Sequence, residues 1–218
     1  MTDYNTARTA MVDCQIRPSD VTKYPIIEAF LNTPREAYVP SDDRSIAYAG
    51  EHITLDNGRV LLDARTFAKM LDAVNVQPNE LVLDLGCGLG YSTAIIATMA
   101  QAVVAVESDA GMVASASDTL SEQSVDNAFV TQGDLTMGNA KNGPYDVIIL
   151  QGSVDEVPGA LTKQLKDSGR ICAIFRDGTY GECRIGYKSN EKLSWRTVFN
   201  ASAPLINGFE SKPIFKFA

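Results

Sequence analysis

Positive charge is missing from a long central stretch of the sequence, because no Lys or Arg occurs between Leu81 and Ala140. Over all 218 residues the formal net charge is -8. An excess of negative charge disfavours non-specific binding to the phosphates of nucleic acids or to anionic membrane surfaces. We therefore expect neither nucleic acid nor a membrane as a partner.

Histidine, paired cysteines and long apolar runs are also scarce. The only histidine is His52, which excludes multi-histidine metal sites and most Ser-His-Asp schemes, and we expect it to be a surface or loop residue. No run approaches the roughly 18 apolar residues of a membrane-spanning helix, and the N-terminus does not resemble a signal peptide. The four cysteines form no CxxC pair, which predicts reduced thiols, no metal site and a cytoplasmic location; they are Cys14, Cys87, Cys172 and Cys183.

Apolar runs alternate with helix-like segments from Val82 onward, which is typical of parallel strands joined by helical crossovers. We predict a Rossmann-like, doubly wound, mostly parallel α/β sheet. One crossover helix is expected to start near Pro158 and to stop at Ser168 and Gly169. The predicted strands are VLDL, VVAVE, AFVTQ, VIIL and RICAIF.

The two ends of the chain differ from this alternating core, which we place at residues 81–176 of a single domain. Residues 1–80 predict a helical cap, with helices near Thr6–Ile16, Tyr24–Leu31 and Arg65–Val74. We expect this cap to cover the carboxyl ends of the strands, where open α/β sheets bind ligands. Residues 177–218 predict antiparallel strands, including PIFKFA at the end of the sequence.

A glycine-rich turn, LVLDLGCGLGYST at Leu81–Thr93, follows the first predicted strand of the core. The third glycine falls one residue earlier than in a dinucleotide fingerprint, and the lysine of a phosphate-binding P-loop is missing. The surrounding sixty residues carry seven acidic side chains and no basic one. This charge favours S-adenosylmethionine, with its sulfonium and ammonium groups, over a polyanionic dinucleotide such as NAD.

Three carboxylates stand at the ends of consecutive predicted strands. Asp84 is placed to receive the ammonium group of the ligand, Glu107 to accept the ribose hydroxyls, and Asp134 to accept the adenine amino group. Leu135 is placed to pack on the adenine ring. Helix capping and tight turns explain any one of these residues alone, but not all of them together. The remaining predicted cofactor residues are Gly86, Cys87, Gly88, Gly90, Tyr91, Ser92, Ser108, Gly133 and Gln151.

Several stretches resemble the protein-L-isoaspartate O-methyltransferase family of class I methyltransferases. They include TPREAYVP at residues 33–40, PYDVIIL at residues 144–150 and DEVPGALTKQL at residues 155–165, in addition to the glycine turn. The resemblance spans about residues 11–170. It implies a methyltransferase that uses S-adenosylmethionine to methylate a carboxyl group of isoaspartyl proteins or peptides, a protein-repair reaction.

The sequence departs from this family just before the glycine turn. Family members that repair isoaspartate carry a Thr-Ile-Ser-x-Pro segment there, whereas this chain has Val60, Leu61, Leu62, Asp63 and Ala64. Because both hydroxyls and the proline are replaced, the acceptor is the open question. Candidate acceptor residues are Leu62, Asp63, Arg65 and Ser153, although Asp63 and Arg65 also fit a simple helix start.

Three functions therefore stay open after the sequence alone. The first is carboxyl methylation of an isoaspartyl protein or peptide, and the second is methylation of a small-molecule hydroxyl or amine on the same fold. The third is a non-catalytic module that binds S-adenosylmethionine. A carboxylate acceptor needs no general base, so we name no catalytic side chain. We expect a monomer or a small homo-oligomer.

Overall fold

Three helices and a short hairpin precede the central sheet in the computed structural model, which describes residues 3–178 and 180–211. The helices are α1 (Tyr4–Met11), α2 (Tyr24–Asn32) and α3 (Ala64–Val74), and one turn of π-helix, Val12–Ile16, extends α1. The three helices predicted here are thereby confirmed. The hairpin consists of β1 (Ile53–Thr54) and β2 (Val60–Leu61), which pair antiparallel.

A seven-stranded sheet forms the centre of the molecule, in the order β5-β4-β3-β6-β7-β8-β9. The strands from β3 to β7 pair in parallel, and β8 and β9 add two antiparallel strands at one side. The predicted fold class is confirmed. The predicted strand PIFKFA, at residues 213–218, lies outside the described residues. The strands are β3 (Leu81–Leu85), β4 (Ala102–Glu107), β5 (Ala128–Gln132), β6 (Tyr145–Val154), β7 (Leu165–Asp177), β8 (Tyr180–Ser189) and β9 (Lys192–Asn200).

Helical crossovers connect β3 to β4, β4 to β5 and β6 to β7. The chain passes through α4 (Tyr91–Ala97) and α5 (Ala110–Glu122) as predicted. The third crossover differs, because α6 covers only Gly159–Lys163 and the strand β7 already begins at Leu165. The prediction of a helix from Pro158 to Gly169 was therefore wrong in its second half.

The early start of β7 has a local physical reason. Leu165 is buried and pairs with Tyr145, so its backbone joins the sheet instead of continuing the helix. Gly169 also serves the sheet rather than ending a helix. A Cβ atom there would lie 2.8 Å from the carbonyl oxygen of Lys166 and 3.1 Å from that of Asp146. Only a residue without a side chain fits this close approach of backbones.

Apolar residues cover both faces of the sheet, as expected for strands buried on both sides. On one face Val82, Val103 and Ile149 pack with the residues of α1, α2, α3 and α4. On the other face Leu83, Val104 and their neighbours pack with α6 and with residues after β9. Successive strand residues alternate between the two clusters, which is the two-residue period of a β-strand.

The strand order reverses between β3 and its neighbour β6, and this defines the ligand-binding edge of the sheet. The chain runs outward from β3 to β4 and β5 and then returns to β6 on the other side of β3. In open α/β sheets the crevice beyond the carboxyl ends at such a reversal binds ligands. The α1–α3 helices lie on a sheet face, whereas the β1–β2 hairpin contacts β6. Within residues 3–178 and 180–211, no helix has the length and apolarity needed to cross a membrane.

Candidate active site

The glycine turn connects the end of β3 to the start of α4 at this reversal point. Gly86, Gly88 and Gly90 have φ angles of 78°, 55° and 94°, in the left-handed region that glycine adopts without strain. Cys87 lies between them and is buried, and its burial raises the pKa of the thiol well above the ordinary value. Cys87 is therefore a packed, protonated side chain and not a nucleophile.

The side chain of Asp84 holds the glycine turn through hydrogen bonds. Its side chain is fully buried and accepts hydrogen bonds from the hydroxyls of Ser92 at 2.6 Å and Thr93 at 2.7 Å, and from the amide of Gln151 at 2.8 Å. Burial raises the pKa of Asp84, and these donors counteract part of that rise. Asp84 thus joins the ends of β3 and β6 to α4. Asp84, which the sequence analysis placed to receive an ammonium group, is 0% exposed and already accepts these three hydrogen bonds.

Glu107 ends β4 and directs its carboxylate at the glycine turn. One oxygen accepts the backbone N–H of Gly88 at 2.9 Å, and the other accepts the N–H and the hydroxyl of Ser108 at 2.7 and 3.1 Å. The side chain is 0% exposed. The sequence predicted Glu107 and the turn as parts of one site, and the structure brings them into direct contact.

A cavity of about 330 Å³ opens beside Glu107. Three of the predicted cofactor residues, Ser108, Asp134 and Leu135, line it. Gly133 precedes Asp134 and donates its N–H to the carbonyl oxygen of Glu107 at 3.0 Å, which holds the end of β5 against β4. The other residues of the cavity wall are Asn57, Arg59, Asp109, Ile206 and Asn207.

Arg59 and the segment after β9 are the parts of the site that the sequence analysis missed. Arg59 directly precedes β2 and reaches the glycine turn, where its Nη2 donates to the carbonyl oxygens of Gly86 at 2.5 Å and Gln151 at 3.4 Å. Its Nε lies 3.5 Å from a carboxylate oxygen of Glu107. Ile206 arrives through a single bridge between Leu205 and Ser153. Neither position carries a motif that would have indicated this placement.

Tyr91 turns away from the cavity and packs in the core under the N-terminal helices. Its ring packs edge-to-face against Phe30 and in a tilted contact against Tyr38, at centroid distances of 6.2 and 5.8 Å. Burial raises the pKa of Tyr91 to about 12. Arg35 lies 4.9 Å from the ring centroid and donates to the carbonyl oxygens of Ala47 and Leu62. The TPREAYVP stretch therefore positions the segment that leads from β2 into α3.

The candidate acceptor residues have separate surroundings. Leu62 is buried, and Asp63 caps α3 by accepting the N–H of Thr66 at 2.8 Å. Arg65 is exposed on the first turn of α3. The structure therefore gives Asp63 a capping contact and turns Arg65 to solvent. Ser153 is buried, and its hydroxyl has no hydrogen-bond partner among the described residues.

His52 holds the hairpin in place. Its Nδ1 accepts the backbone N–H of Asp63 at 2.9 Å, and its Nε2 lies 2.9 Å from the carbonyl oxygen of Ser202. With Nδ1 accepting, Nε2 is the ring nitrogen that donates to the Ser202 carbonyl oxygen. His52 thus lies half-buried in the loop before β1, as the expected surface or loop residue, and it joins the start of α3 to the chain after β9.

The sheet order, the glycine turn and the acidic strand end beside a cavity define an S-adenosylmethionine-dependent methyltransferase of class I. A sequence profile described as protein-L-isoaspartate(D-aspartate) O-methyltransferase matches residues 6–196. The chain belongs to this family. The resemblance predicted from TPREAYVP, PYDVIIL and the glycine turn is thereby confirmed.

Relatives of known name agree with this assignment. A protein-L-isoaspartate O-methyltransferase of Roseiflexus castenholzii is 31% identical over 169 residues, which cover 78% of this chain and 77% of the relative. One of Methanoregula boonei is 32% identical over 191 residues, which cover 82% of this chain and 88% of the relative. Each of these similarities covers most of this chain and most of the relative.

Solved structures share the fold at lower identity. A protein-L-isoaspartate O-methyltransferase superposes with a TM-score of 0.80 at 23% identity, covering 92% of this chain and 66% of the other. A Plasmodium falciparum protein, described as a putative enzyme of the same name and solved in complex with S-adenosyl-L-homocysteine, gives a TM-score of 0.78 at 16% identity. It covers 94% of this chain and 98% of its own.

Proposed function

We propose that this protein methylates the carboxyl group of isoaspartyl residues in proteins or peptides, a repair reaction, with S-adenosylmethionine as the methyl donor. The observation that carries the proposal is the contact of Glu107 with the N–H of Gly88 beside the cavity lined by Asp134 and Leu135. We place the reaction in the cytoplasm, where free thiols such as those of its four cysteines persist.

The residues at this edge of the sheet fit the cofactor in chemistry. Glycines have no side chains of their own to keep a ligand from the backbone, a carboxylate suits a ribose diol, and an acidic side chain beside an apolar one suits adenine. We assign Gly86, Gly88, Glu107, Asp134 and Leu135 to binding. We assign Asp84, Ser92 and Gln151 to holding the turn in shape through their mutual hydrogen bonds.

Methyl transfer to a carboxylate requires the two reactants to be positioned, and it requires no proton transfer. The bound cofactor supplies an electrophilic methyl group. The acceptor carboxylate is already ionised at neutral pH, so the protein needs to align it for in-line displacement and to exclude water.

A second candidate is methylation of a different, smaller acceptor. Val60, Leu61 and Leu62 are at most 8% exposed and apolar, and they stand where the family that repairs isoaspartate carries hydroxyl groups. This replacement removes hydrogen-bond donors from the acceptor side and favours a less polar acceptor.

Transfer of a labelled methyl group tests the two candidates directly. The protein is incubated with methyl-labelled S-adenosylmethionine and an isoaspartyl peptide, with the matched aspartyl peptide as the control. Base-labile methyl ester on the isoaspartyl peptide alone supports the first proposal. Binding of S-adenosylhomocysteine without transfer to this peptide contradicts it and leaves the second candidate, or a binding module without turnover. Stabilisation by NAD but not by S-adenosylhomocysteine contradicts both candidates.

A further inference from the structure

Two side chains of the protein itself lie on the glycine turn. The guanidinium of Arg59 occupies the position that a Cβ on Gly86 would take, and the Leu55 Cδ1 lies 2.7 Å from the position of a Cβ on Gly88. Arg59 is 6% exposed and Leu55 is 6% exposed. The backbone surface that the proposed cofactor would contact is therefore already covered by both ends of the Leu55–Arg59 turn.

Arg59 also competes for the groups that would recognise the cofactor. Its Nε lies 3.5 Å from the Glu107 oxygen that accepts the N–H of Gly88, and its Nη2 binds the carbonyl oxygen of Gly86. The Arg59 Nε has no hydrogen-bond partner within the described ranges. A ribose diol can bind Glu107 only after this guanidinium shifts, because the other carboxylate oxygen is bonded to Ser108.

Apart from the contacts that Leu55 and Arg59 make at the glycine turn, few contacts hold the Leu55–Arg59 turn. Its internal bonds run from the Leu55 N–H to the Arg59 carbonyl oxygen and from the Arg59 N–H to that of Asp56. Asn57 donates to the carboxylate of Asp109 at 2.7 Å, at the start of α5. The flanking strands β1 and β2 contribute only two residue pairs. Such a short hairpin can shift without disturbing the seven-stranded sheet.

We propose that Arg59 is an internal cationic competitor at the methyl-donor site, and that it determines the preference between donor and product. The inference rests on the proposed function for the identity of the ligand. S-adenosylmethionine carries one more positive charge than S-adenosylhomocysteine, so a buried guanidinium in the same pocket penalises the donor more than the product. The protein should therefore bind the product tightly relative to the donor.

Calorimetric titration of both ligands into the wild type and three variants tests this inference. Removing the charge in Arg59→Gln should tighten both ligands, with the donor gaining about tenfold more than the product. Arg59→Lys keeps the charge and should keep the wild-type ratio of the two dissociation constants. Leu55→Ala uncovers Gly88 without changing charge, and it should tighten both ligands equally. Arg44→Gln, an exposed arginine elsewhere in the chain, controls for net charge.

The outcomes separate this inference from the function on which it rests. Weaker binding of both ligands to Arg59→Gln would show that Arg59 holds the cofactor, and it would overturn the inference. Tighter binding with an unchanged ratio would overturn the charge argument. If all of these proteins are folded by circular dichroism and none binds either ligand, the proposed function fails and the inference fails with it.

Discussion

The carboxylate of Glu107 accepts the backbone N–H of Gly88 at 2.9 Å, so the end of β4 directly holds the turn that follows β3. Glu107→Gln should weaken binding of S-adenosylhomocysteine by about tenfold or more, because a hydrogen bond to a charged group contributes about 1.5–3 kcal/mol. Calorimetry measures the change. Glu122→Gln, an exposed site in α5, is the matched control. An unchanged affinity in Glu107→Gln would show that the carboxylate does not contact the ligand.

The conformation of the glycine turn predicts that any side chain at Gly88 lowers the unfolding free energy. Gly88→Ala combines a left-handed φ of 55° with the 2.7 Å approach of Leu55. Gly178→Ala is a matched control, since Gly178 has a φ of 60° and a Cβ there meets no described atom within 4 Å. We expect both variants to lose about 1–2 kcal/mol of unfolding free energy from backbone strain. Urea denaturation should show a further loss in Gly88→Ala only.

Asp84 predicts a pH dependence of stability. Burial raises its pKa above the ordinary value of 3.8, so the folded protein keeps this proton at pH values where the unfolded chain has released it. The stability linked to this proton is full below about pH 3.8 and is lost as the pH rises through the folded pKa. Asp84→Asn should remove this decline.

The measurement is the unfolding free energy of the wild type and of Asp84→Asn from about pH 4 to about pH 7. The wild type should lose stability relative to the variant as the pH rises. Asp118→Asn, at an exposed position of α5, should run parallel to the wild type. The raised pKa of Asp84 is contradicted if the difference in unfolding free energy between the wild type and Asp84→Asn does not change with pH. It is also contradicted if the wild type gains stability relative to the variant as the pH rises.

Asp63 should behave as a helix cap. Asp63→Ala removes the acceptor of the Thr66 N–H and should cost about 1 kcal/mol of unfolding free energy, whereas Asp63→Asn should cost much less because asparagine also caps helices. Thermal unfolding compares the two variants. If both variants kept full stability but lost turnover on the isoaspartyl peptide equally, Asp63 would be an acceptor residue instead.

Strand positions in the core followed from the sequence because each strand is a continuous apolar run whose type does not depend on distant contacts. Leu165–Gly169 could not be assigned this way. ALTKQLK has good helix formers, and only the pairing of Leu165 with Tyr145 across the sheet decides against the helix. Local preference is here weaker than a tertiary contact.

The acidic half of the site was predictable for a related reason. Asp84, Glu107 and Asp134 stand at the ends of recognisable parallel strands, and parallel strands bring their carboxyl ends to one edge. Arg59 and Ile206 come from segments on either side of that core. Their positions depend on how the β1–β2 hairpin and the chain after β9 fold back onto the sheet. Neither hydrophobic periodicity nor motif spacing in the sequence predicts this arrangement.

The cavity wall formed by Ile206 and Asn207 follows the nine strands of residues 3–178 and 180–211 along the chain. During synthesis on the ribosome these nine strands therefore emerge before the nucleoside end of the site can close. A nascent chain that has already paired these strands would still lack this part of the cavity wall.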